Sequence, residues 1–256
     1  MKLKSLVIAG ALMTAMTSPA VMAADAMSDV QKKAIEQVVH DYLVNNPEVL
    51  LEASQALQKK QQQNIQEQAL SAIQENAKQL FSDKMTTIGN PKGNVTLVEF
   101  FDYQCIHCKK MAPVLSGLVK KDGNLRVIYK EFPIFGKSSE TASRAALAAA
   151  MQGKYQAMHE ALIKQKNRLN DKIIDDAAKE VGLNMTKFKS DMNSKAVTDM
   201  LNANRDLAEK LHLMGTPAFI IASTPSGQFN ASTKPTFIPG AASEQSLQEI
   251  IKKTAS

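Results

Sequence analysis

The two cysteines of the chain are separated by two residues, in the order Cys105-Ile106-His107-Cys108. They follow a run rich in branched and aromatic residues, 95–101, and precede apolar residues at helical spacing, so they lie where a strand gives way to a helix. Free backbone N–H groups and the positive end of the helix dipole favour a thiolate there. The pattern predicts thiol–disulfide chemistry, with Cys105 as nucleophile, Cys108 as resolving thiol and His107 supplying a hydrogen-bond donor or a positive charge.

Two other uses of this pair have to be weighed. A structural disulfide closing so short a loop removes little unfolded-state entropy, about 2 kcal/mol, and strain reduces that further. A soft metal ion could be bound by Cys105, Cys108 and His107. The chain has no second cysteine pair, and helical patterning explains the other histidines. Metal binding stays open as the alternative to redox chemistry.

The elements around the pair predict an α/β domain. A strand at 95–101, a helix and a second strand at 126–129 form a βαβ unit. A helical insert follows at about 138–205, and then strands return before a final helix. The predicted helices after the first strand pair are 142–151, 155–163, 171–181, 197–211 and 245–252, and the later strands are 218–221 and 236–238, joined by a turn at 225–227.

The residues before this domain predict a long helical arm, 24–86. Asn46-Pro47-Glu48 suggests a break, with Asn46 capping a second helix from Pro47. An apolar stripe on that helix is too narrow to form a core by itself, so it must pack on the body of the chain or on a second copy. We expect a homodimer joined by this arm. The stripe consists of Leu50, Ala53, Leu57, Ile65, Ala69, Ile73, Ala77 and Leu80.

The extreme N-terminus predicts export. A basic start, an apolar stretch at 6–16 that is too short to span a bilayer, and small residues at 21–23 are typical of a signal peptide, 1–23, cleaved after Ala23. Export leads to a compartment in which thiols are not kept reduced by default, here the periplasm. The net charge of +6 is spread along the chain without a basic tract, so nucleic acid is not an expected partner.

Three separated motifs resemble one known family. The segments 98–108, 215–219 (Gly-Thr-Pro-Ala-Phe) and 238–240 (Ile-Pro-Gly) are similar to the DsbA-like branch of the thioredoxin superfamily, which consists of exported thiol:disulfide oxidoreductases. The resemblance covers residues 87–256. It implies a thioredoxin fold with an inserted helical subdomain, preceded by an α-helical dimerisation arm as in the dimeric members.

The resemblance also assigns roles to single residues. Pro217 matches the cis-proline that lies against the active disulfide, and Thr216 resembles the residue that isomerase-type members have before it. Glu99 matches a buried acid that exchanges protons with Cys108. Two departures matter. Ile106 stands where monomeric oxidases commonly have proline, so their potential does not carry over. The N-terminal arm is absent from those oxidases, so their division of labour does not carry over either.

The function implied is the formation or isomerisation of disulfide bonds in exported proteins. The expected partners are unfolded or misoxidised proteins, and a membrane protein of DsbB or DsbD type that recycles the enzyme. The Cys105–Cys108 disulfide is itself the redox group, so no cofactor is expected. The alternatives are a soft-metal-binding protein and a structural protein of the envelope.

Overall fold

The computed structural model describes residues 27–255. The predicted signal peptide, 1–23, lies outside the described residues. The chain divides after Leu57 into an N-terminal unit and a larger C-terminal unit that begins at Gln58. None of the helices in residues 27–255 is both long and apolar enough to cross a membrane.

The described elements alternate between helices and short strands. The helices are α1 (Asp29–Asn45), α2 (Glu48–Glu75), α3 (Ala77–Phe81), α4 (Ile106–Lys121), α5 (Lys137–Ala150), α6 (Tyr155–Ile163), α7 (Asp171–Glu180), α8 (Met185–Met192), α9 (Lys195–Lys210) and α10 (Glu244–Ala255). The strands are β1 (Thr87–Gly89), β2 (Val95–Phe101), β3 (Leu125–Glu131), β4 (Ala218–Ser223) and β5 (Thr236–Ile238), and a 3-10 turn spans Pro225–Gly227.

The strands form one mixed sheet in the order β1-β3-β2-β4-β5. β2 and β3 are parallel, and the other three pairs are antiparallel. Every residue of β2 and β3 is buried. This agrees with the mostly apolar sequence of β2, since central strands covered on both faces lose the alternation of polar and apolar residues. β3 also buries three charged residues, Arg126, Lys130 and Glu131.

The two faces of the sheet pack on different helices. On one face, α4, α10 and part of the helical insert enclose a core that includes Leu97, Phe101 and both cysteines. On the other face, Val98 and Phe100 pack with α3, the end of α2 and the end of α9. Side chains alternate along β2, so Glu99 lies on the α4 face together with Leu97 and Phe101.

The helical insert is present as α5 to α9, between β3 and β4. The chain therefore has the expected thioredoxin fold with inserted helices, preceded by helices, and the predicted fold class is confirmed. Two elements were missed. β1 has three residues, too few to show a period, and α8 follows directly on the loop after α7, with Asn184 as its N-cap.

The helices before the domain differ from the prediction in two details. The second helix ends at Glu75, so Ala77 and Leu80 of the predicted stripe lie on the separate helix α3. Asn46 does not cap the second helix: its side-chain amide donates to the Tyr42 carbonyl at 2.9 Å and so closes α1. The residues of the apolar stripe on α2 differ in how far they are buried. Ala69 and Ile73 are buried in the C-terminal unit, whereas Leu50 and Leu57, in the N-terminal unit, are more than half exposed.

Candidate functional site

Cys105 occupies the N-cap position of α4, as the sequence predicts. The side chains of Cys105 and Cys108 are buried, and both are free thiols. The Cys105 thiol donates a hydrogen bond to the carbonyl oxygen of Thr216 at 3.2 Å, and Cys108 lies in the first turn of the helix that Cys105 caps. Two nearby thiols at a helix N-terminus are suited to form a disulfide.

A buried carboxylate holds the turn that presents Cys105. Asp102, fully buried, accepts hydrogen bonds from the backbone N–H groups of Gln104, Ile134 and Phe135 at 2.6, 2.7 and 3.0 Å. Its own carbonyl accepts from the Cys105 N–H at 3.1 Å. The sequence analysis missed Asp102. The sequence feature that could have indicated Asp102 is an acidic residue directly after a buried strand, where the loops of an α/β sheet meet.

The pairing of β2 with β4 brings Thr216 to Cys105. The strands are antiparallel, and Phe100 pairs with Ala218. The residues that follow β2 and those that precede β4 therefore meet at one edge of the sheet. The Thr216–Pro217 peptide bond is cis, as the resemblance implied. The structure thus brings the segment with Cys105 and Cys108 to the Thr216–Pro217 loop, although Cys105 and Thr216 are 111 residues apart in the sequence.

Glu99 lies at the centre of the sheet beneath α4. It pairs with Tyr129 of β3 and Phe219 of β4, it is 2% exposed, and its Oε1 atom has no hydrogen-bond partner within the described residues. Burial raises the pKa of Glu99 well above its ordinary value, and the nearby charges of Cys105 and Glu131 raise it further. The protonated carboxyl group is therefore favoured over the ionised one, relative to a glutamate in water.

Cys108 shares this apolar environment. Burial raises the pKa of the Cys108 thiol strongly, and a negative charge on Glu99 raises it further. The ionised, thiolate form of Cys108 is consequently unfavourable in this site. Any reaction that releases or consumes one needs a proton donor or acceptor close by.

His107 does not join the buried cluster. It and Ile106 are exposed on the first turn of α4, and Ile106 is 62% exposed. Within residues 27–255, no group of three His, Cys, Asp or Glu side chains is arranged to hold a metal ion. The ligand set that the metal alternative requires, Cys105, Cys108 and His107, is thus not assembled in the described part of the chain.

A second buried acid lies on the same face of the sheet. Glu131 Oε1 accepts hydrogen bonds from the hydroxyl groups of Tyr103 and Tyr155, at 3.1 and 2.8 Å. Burial raises the pKa of Glu131 to about 8. His159 stacks on Tyr129 with 4.2 Å between ring centroids, and burial lowers its pKa to about 3, so His159 is a neutral packed residue. The sequence analysis missed the role of Glu131.

A cleft of about 660 Å³ opens beside the Thr216–Pro217 loop. Apolar residues form most of its wall, among them Leu213, Met214 and Phe237, and glutamines of α2 form part of the rest. Met214 is 97% exposed. An exposed methionine beside a reactive thiol suits a surface that accommodates varied apolar side chains.

Two known families match separate parts of the chain, one on the N-terminal helices and the other on the sheet and the helices around it. Residues 96–252 match the DSBA-like thioredoxin domain, and residues 31–64 match the N-terminal domain of the copper resistance protein ScsC. The first match includes Glu99, both cysteines and the Thr216–Pro217 loop. The second covers most of α1 and the first part of α2.

Relatives with these features include both sequences and solved structures. The thiol:disulfide interchange protein DsbA of Burkholderia cepacia is 29% identical over 175 residues, which is 65% of this chain and 78% of that protein. The structure of Salmonella enterica Typhimurium BcfH is 32% identical with a TM-score of 0.75, covering 89% of this chain and 97% of BcfH. Proteus mirabilis ScsC in a transitional conformation is 31% identical with a TM-score of 0.62, covering 90% of this chain and 97% of ScsC.

Part of the chain also matches two longer proteins. The chain spans about a fifth of the length of two Salinispora proteins named Na(+)/H(+) antiporter NhaA, which are 24% identical over 135 residues. The DSBA-like match covers more than half of the present chain and contains the whole cysteine site. The chain is therefore a member of the DsbA-like thioredoxin domain family.

Proposed function

We propose that this protein is an exported thiol:disulfide oxidoreductase that forms or isomerises disulfide bonds through Cys105 and Cys108. One observation carries the proposal: the Cys105 sulfur lies at the N-terminus of α4, 3.2 Å from the Thr216 carbonyl and next to Pro217, where a cleft opens. Thr216 lines that cleft and contacts Cys105, so a polypeptide that extends from the cleft along the Thr216–Pro217 loop would approach the Cys105 sulfur.

In the oxidising direction the enzyme starts as the disulfide. A substrate thiolate attacks the sulfur of Cys105, the Cys105–Cys108 bond breaks, and Cys108 leaves as a thiolate. A second substrate thiolate then attacks the substrate sulfur of the mixed disulfide, and Cys105 leaves. The substrate loses two electrons and gains a disulfide, while the enzyme becomes a dithiol.

The buried acid gives Cys108 a proton partner. Burial favours the protonated form of Glu99 and disfavours a thiolate on Cys108. When Cys108 is released, Glu99 donates its proton, and when Cys108 attacks a mixed disulfide, the ionised Glu99 accepts one. The acid therefore acts in both directions of the exchange.

Isomerisation uses the dithiol form. The Cys105 thiolate attacks a wrong disulfide of the substrate, which releases one substrate sulfur. That sulfur or another substrate thiolate then attacks the substrate sulfur of the mixed disulfide, which forms a new substrate disulfide and releases the Cys105 thiolate with no net transfer of electrons. Thr216 before Pro217 resembles the residue at this place in isomerase-type members. In both directions the two cysteines are the only redox group, and no cofactor is needed.

The surface around Cys105 suits unfolded polypeptides. Exposed apolar side chains follow the reactive cysteine, precede Thr216, and lie on the loop that Asp102 ties to the active turn. They are Ile106, Met214, Ile134 and Phe135, which are between 41% and 97% exposed. Unfolded chains expose apolar residues that folded proteins bury, so this surface favours them as substrates.

An oxidative folding assay tests the function. Catalytic amounts of the mature protein are added to a reduced, unfolded protein with several cysteines, and to the same protein with scrambled disulfides, both in glutathione buffer. We expect faster recovery of native activity in at least one of the two reactions. Recovery no faster than in the buffer alone, in both reactions, would contradict the proposal.

We also propose that the protein acts in the periplasm and is recycled by a membrane thiol:disulfide partner of DsbB or DsbD type. The N-terminal sequence pattern of a cleaved signal peptide supports the location. The need to reset the redox state after each turnover supports the partner, since the chain holds a single cysteine pair.

The arm is proposed to join two copies of the chain. Ile35, Val38, Val39 and Tyr42 follow helical spacing on α1, and each is at least 50% exposed. No residue of α1 is buried. Apolar side chains at positions i, i+3, i+4 and i+7 form a stripe that pairs helices of separate chains.

Substitution on this stripe tests the assembly. Val38→Lys places a charge in the stripe, and Gln37→Lys makes the same charge on the opposite side of the helix. Light scattering should give the mass of a multimer for the parent and for Gln37→Lys, and a lower mass for Val38→Lys. A monomeric parent would refute the proposal, and a mass above two chains would refute the dimer.

A further inference from the structure

Arg126 is a buried arginine of β3 that has no acidic partner among the described residues. It pairs with Thr96 near the start of β2, whereas Cys105 follows the end of β2. Arg126 and Lys130 both project from the α3 face of β3 and are 6% and 4% exposed. Lys130 forms an ion pair with Asp83 at 3.1 Å. Arg126 has no carboxylate within ion-pair distance among residues 27–255. One buried cation of this face is thus neutralised, and the other is not.

The hydrogen bonds of Arg126 are all to neutral acceptors. Its Nε donates to Thr96 Oγ1 at 2.7 Å, and Nη1 reaches the Pro91 carbonyl at 3.5 Å. The Thr224 hydroxyl donates to the Gly93 carbonyl at 2.9 Å, so the Thr96 hydroxyl is the donor in its 2.7 Å bond to Thr224. This chain of donors fixes the guanidinium but leaves Nη2 without a partner.

An unpaired buried cation is unfavourable. Removing an ionised group from water costs several kcal/mol unless a counter-charge and hydrogen bonds replace the lost hydration. Burial lowers the pKa of Arg126, and no neighbouring carboxylate opposes this effect. The missing counter-charge can be supplied by an anion from outside the chain.

Arg126 lines a cavity of about 810 Å³ whose other charged residues are mostly basic. Lys78, Lys84 and Lys92 line it as well, and none of the three forms an ion pair within the described residues. Asp83 also lines the cavity but is already paired with a buried lysine. The cavity therefore carries a net positive charge.

Two aromatic rings form an apolar wall of the same cavity. Phe81 and Phe229 stack with 4.9 Å between their centroids and an angle of 3° between their planes. A concave site with an apolar wall and a few convergent polar groups is the usual form of a small-molecule site. The cavity thus offers both cations and an aromatic surface to a ligand.

We propose that this cavity binds a small organic anion, with its carboxylate or phosphate against Arg126 and its apolar part along Phe81 and Phe229. The proposal is independent of the thiol chemistry, because Thr96 and Arg126 lie at the end of the sheet away from Cys105. A guanidinium fits either anionic group in bidentate fashion.

Calorimetric titration of the full mature chain tests this site. The probes are benzoate and phenyl phosphate, with acetate and inorganic phosphate as matched anions that lack the ring. We expect saturable binding of benzoate, phenyl phosphate or both, at least about tenfold tighter than the matching anion without a ring. The probe that binds more tightly identifies the anionic group as carboxylate or phosphate.

Three variants decide where the probe binds. Arg126→Gln and Lys92→Glu should each weaken binding by about tenfold or more, which corresponds to about 1.4 kcal/mol. Lys92 is exposed, so its substitution spares the buried hydrogen bonds and keeps the test valid if Arg126→Gln fails to fold. Lys166→Glu makes the same charge change outside the cavity and should bind like the parent. Absence of saturable binding, equal binding with and without the ring, or equal weakening by Lys166→Glu would each overturn the proposal.

Discussion

Cys108→Ser is expected to accumulate as a covalent mixed disulfide with its substrate, whereas Cys105→Ser is expected to lose exchange activity entirely. Cys105 is the sulfur at the N-cap of α4, with contact to the Thr216 carbonyl at the cleft. Cys108 is the third residue of α4 and lies in the core beneath the helix, without the Thr216 carbonyl contact that Cys105 makes. Without Cys108, a substrate sulfur bound to Cys105 cannot be displaced from within the enzyme.

Mass spectrometry under non-reducing conditions measures the adduct. The purified variants are incubated with a peptide that carries an activated disulfide, and the fraction of protein bound to the peptide is followed over time. Cys105→Ser serves as the matched control, since it retains one thiol in the same site. A stable adduct on Cys105→Ser and none on Cys108→Ser would reverse the assignment of the two cysteines.

Glu99→Gln is expected to slow the steps in which Cys108 gains or loses a proton by about 100-fold. Glutamine has the shape of the protonated acid but cannot give up or accept a proton at the working pH. Stopped-flow measurement of mixed-disulfide resolution at several pH values provides the rate. Glu131→Gln removes the other buried acid of this face and should slow the step far less. Equal rates for Glu99→Gln and the parent would exclude proton transfer by Glu99.

The same variant has a predicted effect on stability. The pKa of Glu99 is raised well above its ordinary value of 4.5 in the folded state, so the folded protein keeps a proton that the unfolded chain releases. The free energy of unfolding therefore falls as the pH rises above about 4.5, by about 1.4 kcal/mol per pH unit for this one proton. Urea titrations should show a shallower fall for Glu99→Gln than for the parent.

The sequence predicts the reactive centre better than its surroundings. A cysteine pair at a strand–helix junction indicates both the chemistry and the order of the two thiols, because the helix N-terminus acts locally on Cys105. The central strands and the helical insert also follow from periodicity and composition. The approach of Thr216 to Cys105 depends on the pairing of β2 with β4, which no local pattern encodes. For this loop the resemblance, and not the spacing, gave the prediction.

Buried polar residues explain most of what was missed. Asp102 and Glu131 stand at the ends of apolar strands, where an acid is usually a solvated residue at the start of a loop. Their role becomes visible only when the partners are known, namely the backbone of Ile134 and Phe135 for Asp102, and two tyrosines for Glu131. These partners lie 24 to 33 residues away in the sequence.

The reduction potential of the Cys105–Cys108 pair is the measurement that tests the central proposal most directly. The mature protein is equilibrated in glutathione buffers of graded composition, and the fraction of disulfide is read by alkylation, with Cys105→Ser as control. A pair that donates or shuffles disulfides, as we propose here, should have a value between about −120 and about −190 mV. A value near about −270 mV would mean that the protein works as a reductant, and the absence of a reversible couple would contradict thiol–disulfide exchange altogether.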